Sequence, residues 1–141
     1  MTSYPNMQGT YSAWANTGCS STSEWNCVDE TSANTSDYLS TSSSSIKESF
    51  NFSDSGLSGE TINNLTLYYY AKSYSKSKNK IQPLIRSGGI NYLGNVFSLT
   101  SSYGYYSQKF ATNPSTGYAW TLTEIEALEA GMRTYSSNGG G

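Results

Sequence analysis

Histidine is absent from all 141 residues, and that one absence removes more chemistry than any residue present supplies. Ser-His-Asp and Cys-His nucleophilic machinery, imidazole zinc sites and the side chain best suited to proton transfer near neutral pH are all excluded. Cysteine is nearly absent too, and two thiols, Cys19 and Cys27, cannot close a four-thiolate metal site. Charged residues make up only 13% of the chain, with a net charge of −2. Solubility therefore falls to Ser, Thr and Asn, which give a surface prone to contact near neutrality. Such a surface suits permanent contact with neighbours or a harsh exterior; a merely polar β-domain is the other reading. No apolar run approaches the length of a membrane span. The opening MTSYPNMQGTYSAW carries neither the basic start nor the apolar stretch of a secretion signal, so the expectation is a chain without such a signal, soluble unless it is carried on a larger assembly.

What is present is aromatic and small-polar. Apolar residues reach only 35%, but 13 Tyr and 3 Trp supply large amphipathic bodies that fill a core while keeping a polar tip wet. The length fits one domain with a real core, expected over residues 1–135, with a flexible Gly-rich tail over 136–141. Thr10 to Ala15 and Glu24 to Val28 are short enough to be strands around Trp14 and Trp25. The stretch from Glu30 to Ser45 reads as a surface excursion pinned at Tyr38-Leu39. From Ile46 the period becomes two, with Ile46, Glu48, Phe50 and Phe52 on one face. Asp54-Ser55-Gly56 and Ser58-Gly59 supply turn chemistry before a second alternating run, Thr61 to Lys72, with Leu65, Leu67, Tyr69 and Ala71 on one face and Tyr68 and Tyr70 on the other. Ile81 to Arg86 is a third run, in which Pro83 favours an edge or a bulge because proline cannot donate to a ladder. Ser87-Gly88-Gly89 predicts a tight hairpin turn into Ile90 to Leu93. Val96 to Thr100 and Tyr103 to Phe110 complete about eight short strands at regular spacing, the pattern of an all-β, two-sheet antiparallel sandwich.

The C-terminal fifth carries the one helical signal. Thr121 and Glu124 form a capping box. Leu122, Ile125, Leu128 and Met132 recur about a turn apart, and Gly131 stands where a left-handed terminal residue is wanted, so a short helix is expected over about 122–130. Trp120, just before the cap, suits a hydrophobic staple against Ile125.

Four constellations could carry function. Tyr68, Tyr70, Lys72, Tyr74, Lys76, Lys78 and Lys80 share the even-numbered face if the chain is extended, and aromatics interleaved with cations stack on bases or sugars and neutralise phosphates. The competing reading is a solvated hairpin tip, favoured because the protein is slightly acidic; nucleic acid is therefore not expected as a partner. Trp14, Trp25 and Trp120 are either a sugar-stacking platform or core, with Trp120 read as core. Asp29, Glu30, Asp37 and Asp54 match no calcium-loop spacing, and no metal or cofactor is expected. Glu124, Glu126 and Glu129 give no support to a paired-carboxylate glycosidase, so no catalytic residue and no enzyme activity are expected. Cys19 and Cys27 are either a disulfide around a small loop or two free buried thiols. Asn34, Asn51 and Asn64 each stand in a glycosylation sequon that arises readily by chance in such a composition.

The run Leu99 to Gly131, LTSSYGYYSQKFATNPSTGYAWTLTEIEALEAG, with INNLTLYYYAKS upstream and the Trp25, Val28-Asp29-Glu30, Asp37-Tyr38 entry, resembles a group of poorly characterised virion proteins of tailed bacteriophages, archaeal viruses and prophage-like elements. The resemblance covers most of the chain from Trp14 onward and implies a jelly-roll-like sandwich. It further implies a virion exterior component assembled in the host cytoplasm: a head decoration, a fibre subunit or a tail-associated protein, touching copies of itself and other virion proteins. Cys19, Cys27 and the lysine-rich loop Tyr74 to Lys80 depart from the shared pattern. The alternative is a carbohydrate-binding or adhesin module of similar fold, extracellular or on a cell surface, using Trp14 and Trp25 on a host glycan.

Overall fold

A computed structural model describes residues 2–19, 22–52, 58–59 and 61–135. The expected tail at 136–141 and the Asp54-Ser55-Gly56 turn lie outside the described residues. The chain forms β1 (Met7–Ser12), β2 (Ala15–Thr17), a short 3-10 helix (Glu24–Cys27), β3 (Tyr38–Ser40), β4 (Lys47–Asn51), β5 (Leu65–Ala71), β6 (Lys80–Ser87), β7 (Ile90–Leu93), β8 (Phe97–Ser98), β9 (Gly104–Phe110), α1 (Leu122–Glu126) and β10 (Glu129–Thr134). The fold is all-β and sandwich-like, as the alternating patterns predict. One antiparallel sheet has the order β1-β4-β10-β6-β7, with β8 also paired to β6. The antiparallel pair β5-β9 is separate, and β2-β3 makes a third small sheet.

The core lies between the large sheet and the β5-β9 pair. Ile85, Trp120, Leu128 and Ala130 are buried at its centre, with Leu65, Leu67, Phe110, Tyr92, Phe52, Ile62 and Ile125 packed against them. Period-two patterning accounts for these contributions: Leu65, Leu67 and Tyr69 pair in register with Phe110, Gln108 and Tyr106, which places one face of both strands inward. The Tyr69 hydroxyl donates to the Gly131 carbonyl at 2.7 Å, fastening the β5-β9 pair to β10. Burial pushes this phenol well above its ordinary range.

Three expectations need correction. The helix stops at Glu126 rather than near residue 130, and Gly131 lies inside β10 instead of capping a helix. The apolar spacing Leu122, Ile125, Leu128, Met132 suits a helix on both sides of this break, but Gly131 has another physical task. A Cβ there would run into the Glu48 carbonyl of β4, so only glycine lets the two central strands close. Second, Glu24–Cys27 is a 3-10 turn and not a strand. Its Cys27 end is tied to Cys19 by a disulfide with Cα atoms 5.5 Å apart, which favours a tight local coil. Third, of the edge or bulge expected for Pro83, the edge does not hold, since β6 pairs β10 on one side and β7 and β8 on the other; Pro83 sits instead at a bulge-like register shift, where Gln82 and Pro83 face the three residues 94–96. The missing N–H causes no loss because β7 pairs only from Leu84 onward and β8 only through Ile81, leaving Pro83 opposite the interruption. Its carbonyl accepts from Gly94 N–H at 2.8 Å on that same side.

Other local readings hold. Gly88 and Gly89 take φ of 61° and 79°, the left-handed pair that a primed hairpin turn requires. The Thr121 and Glu124 capping box forms in both directions. Trp120 is buried and donates its indole N–H to the Phe110 carbonyl at 3.1 Å, so it closes the sandwich end with Leu128 and Ile125. Leu122 is half-buried.

Candidate functional site

The outer face of β5-β9 is the most distinctive surface among the described residues. Because Leu65, Leu67 and Tyr69 point into the core, alternation sends Thr66, Tyr68 and Tyr70 outward, and the register sets Tyr70 opposite Tyr105. Tyr68 and Tyr105 are 73% and 74% exposed. Tyr70 stacks on Tyr103 with ring centroids 4.8 Å apart and meets Tyr105 at 4.7 Å. Lys72 continues the row: its ammonium lies 4.7 Å from the Tyr103 ring and 4.8 Å from that of Tyr74, two cation–π contacts from one side chain. The result is a platform of mutually supported rings whose phenol tips remain wet.

The expected single even-numbered face does not persist past Lys72. The segment from Ser73 to Asn79 is an irregular loop between β5 and β6, folded by its own serines. Ser73 Oγ donates to the Ser75 carbonyl at 2.8 Å and accepts from Ser75 N–H at 3.1 Å. The lysines therefore scatter: Lys78 donates to the Ser42 carbonyl, Lys80 lies beside Tyr135, and Lys76 is exposed on the loop. A recess of about 300 Å³ opens here, lined by Ser73, Tyr74, Ser75, Lys76, Asn79, Leu99, Thr100 and Ser101. Tyr68, Tyr70, Lys72 and Tyr74 are thus brought together, whereas Lys78 and Lys80 are taken elsewhere.

The tryptophans of the glycan reading are placed differently. Trp14 and Trp25 are half-buried in the N-terminal segment, and neither offers a face as open as Tyr68 or Tyr105. Trp14 instead belongs to a polar anchor centred on Glu48, a wholly buried carboxylate on β4. Glu48 Oε2 accepts from Ala13 N–H at 2.8 Å and Trp14 N–H at 3.0 Å, and Oε1 accepts from Gln8 Nε2 at 2.6 Å. Desolvation outweighs these bonds and, with the nearby Glu24 charge, pushes the Glu48 carboxyl up to about 7. Glu24 is itself buried and accepts from Ser12 Oγ at 2.6 Å.

Among the described residues no group of three or more acidic or thiol side chains could hold a metal ion. Glu30 is held above its ordinary range by burial and by Asp37 and Asp29, while Asp54 lies outside the described residues. Asn34 is exposed and folds an Asx turn onto Ser36 N–H, and Asn64 is exposed at the entry to β5. Asn51 donates to the Gln8 carbonyl, and the serine of its sequon lies outside the described residues. A scan against models of known protein families, a search of curated proteins and a search of solved structures each returned no match. Sequence reasoning missed the partnership of Tyr103 and Tyr105 with the β5 tyrosines. The two alternations were legible strand by strand, but joining them requires the β5-β9 register, which no local signal encodes.

Proposed function

We propose that the chain is a non-enzymatic structural protein acting in many copies, each presenting its β5-β9 tyrosine face to a neighbouring copy, on the exterior of a virus particle. The observation that carries the self-association is the outward row in which the exposed Tyr68 lies on the same face as Tyr70, itself stacked on Tyr103 and in ring contact with Tyr105. Tyrosine supplies large contact area at small cost in side-chain freedom, and the rings of Tyr70, Tyr103 and Tyr105 already hold one another in place. A second copy is the occupant argued for because sparse charge and a net of −2 oppose like-with-like contact only weakly. Within the described residues β5 and β9 pair only with each other, so each also offers an unpaired edge to a neighbour. Many weak contacts of this kind hold an assembly by avidity. The virion setting, as decoration, fibre or tail-associated subunit beside other virion proteins, is supported by the sequence resemblance through Leu99 to Gly131.

Sedimentation velocity over a concentration series tests the self-association. The native chain is expected to associate as concentration rises. A Tyr68→Asp, Tyr105→Asp double variant, with unchanged far-ultraviolet circular dichroism, is expected to stay monomeric. A native chain that is monomeric throughout, or a double variant that associates equally, would refute the proposed interface.

A further inference from the structure

The recess at the β5-β6 loop is a built polar site beside the tyrosine row, distinct from the face assigned to self-association. We propose that it binds an acidic oligosaccharide, with Tyr74 stacked on the apolar face of one sugar ring and the Lys76 ammonium on that sugar's carboxylate. Four observations support this ligand class. Tyr74 is 79% exposed, yet its ring is held by the Lys72 ammonium lying over one face at 4.8 Å, which leaves the opposite face for a sugar at the rim. Leu99 is buried at 8% exposure and contributes an apolar lining. The other lining groups are hydroxyls and an amide; those of Ser73, Ser75 and Thr100 are bonded within their own loops, which leaves the Ser101 hydroxyl and the Asn79 amide oxygen to meet a sugar's donors and acceptors. Finally, Lys76 makes no ion pair or hydrogen bond with any described residue, and Asn79 Oδ1 and the Ser101 hydroxyl are likewise unengaged there, although Asn79 Nδ2 donates to the Leu99 carbonyl.

The loop is held in shape before any ligand arrives. Ser73 N–H donates to the Thr100 carbonyl at 2.8 Å, and Leu99 N–H to the Asn79 carbonyl at 2.6 Å. Ser73 and Ser75 are locked together by their own hydroxyl bonds. Ordering costs that would otherwise subtract from affinity are thereby reduced. A volume of about 300 Å³ falls at the small end of ligand sites and matches a ring or two rather than a folded partner. Nucleic acid fits less well, because neutralising several phosphates needs several free cations, and of the nearby lysines Lys72 is shared between two rings and Lys78 is bonded to Ser42.

Isothermal titration calorimetry with a uronic-acid trisaccharide, its carboxyl-reduced neutral counterpart and inorganic polyphosphate distinguishes the alternatives. Saturable binding of the acidic trisaccharide is expected. Removing the carboxylate, or making Lys76→Ala, is expected to weaken it on the order of tenfold, the worth of one charge-assisted hydrogen bond. Tyr74→Ala is expected to weaken it by roughly tenfold or more and Tyr74→Phe to leave it nearly intact, since the ring and not the hydroxyl does the stacking. Thermal midpoints should be unchanged, the positions being exposed. The Tyr68→Asp, Tyr105→Asp variant should bind normally, so this proposal and the self-association reading stand or fall separately. No saturable binding, binding undiminished by both Tyr74→Ala and Lys76→Ala, or equal binding of polyphosphate would each overturn it.

Discussion

Replacing Glu48 with glutamine should make the protein's stability less sensitive to alkali. In the native chain the carboxyl is wholly buried and titrates near 7 instead of its ordinary 4.5. Raising a carboxyl's value in the folded state means that the folded state prefers the protonated form. Its stabilising effect is complete below pH 4.5 and is lost as pH rises through 7. The full difference is about 3 kcal/mol, a large share of the stability of an ordinary domain. In Glu48→Gln the introduced amide oxygen can still accept from Ala13 and Trp14 N–H, while its NH2 meets Gln8, whose Oε1 has no partner among the described residues. Any mismatch there adds a constant, so the informative quantity is the change in the native-minus-variant difference with pH. Other shifted carboxyls cancel from that difference: Glu30, raised, and Glu124, lowered by its capping bond to Thr121 N–H, are common to both proteins. Urea unfolding at steps from about pH 4.5 to 8.5 should show the variant gaining about 3 kcal/mol on the native chain. A difference that stays flat across this window would refute the claim that Glu48 is buried without adequate compensation.

Gly131→Ala should cost roughly 3 kcal/mol or more, or prevent folding, because the new methyl meets main chain in the middle of the sheet and not a yielding side chain; thermal denaturation measures it. Trp120→Ala should cost about 3–5 kcal/mol, with Trp120→Phe retaining much of the packing but losing the bond to the Phe110 carbonyl; chemical denaturation of both separates the two contributions. Breaking the Cys19–Cys27 link by Cys19→Ser, Cys27→Ser should cost roughly 2–3 kcal/mol in the chain-entropy view, and the native chain should lose a similar amount on adding reductant.

Strands whose neighbours alternate cleanly could be read from the sequence. β5 and β9 bury one face and expose the other as their residues require, and the Gly88-Gly89 turn announces itself because only glycine takes two consecutive left-handed conformations cheaply. The Thr121 box was equally legible, being a contact across three residues. What failed was the end of that helix: Ile125, Leu128 and Met132 fit a helical period, and the strand that replaces it is imposed by β4 and β6 on either side. Glu48 was visible as a carboxylate on an apolar face, but its partners Gln8, Ala13 and Trp14 lie more than thirty residues away. The recess was hidden for the same reason, since Leu99, Thr100 and Ser101 reach Tyr74 and Lys76 only through the turns between them.

The position of β10 also sets a temporal order on folding. Residues 129–134 are the last strand among the described residues yet occupy the middle of the sheet, between β4 and β6. During synthesis those two strands have no common neighbour, and Ile85 has no Ala130 against it, until Thr134 has cleared the ribosome. Until then β4, paired with β1 alone, and β6, paired with β7 and β8, each keep one edge open, so the nascent chain depends on being kept apart from its siblings for longest at the moment just before these two halves of the sheet can join.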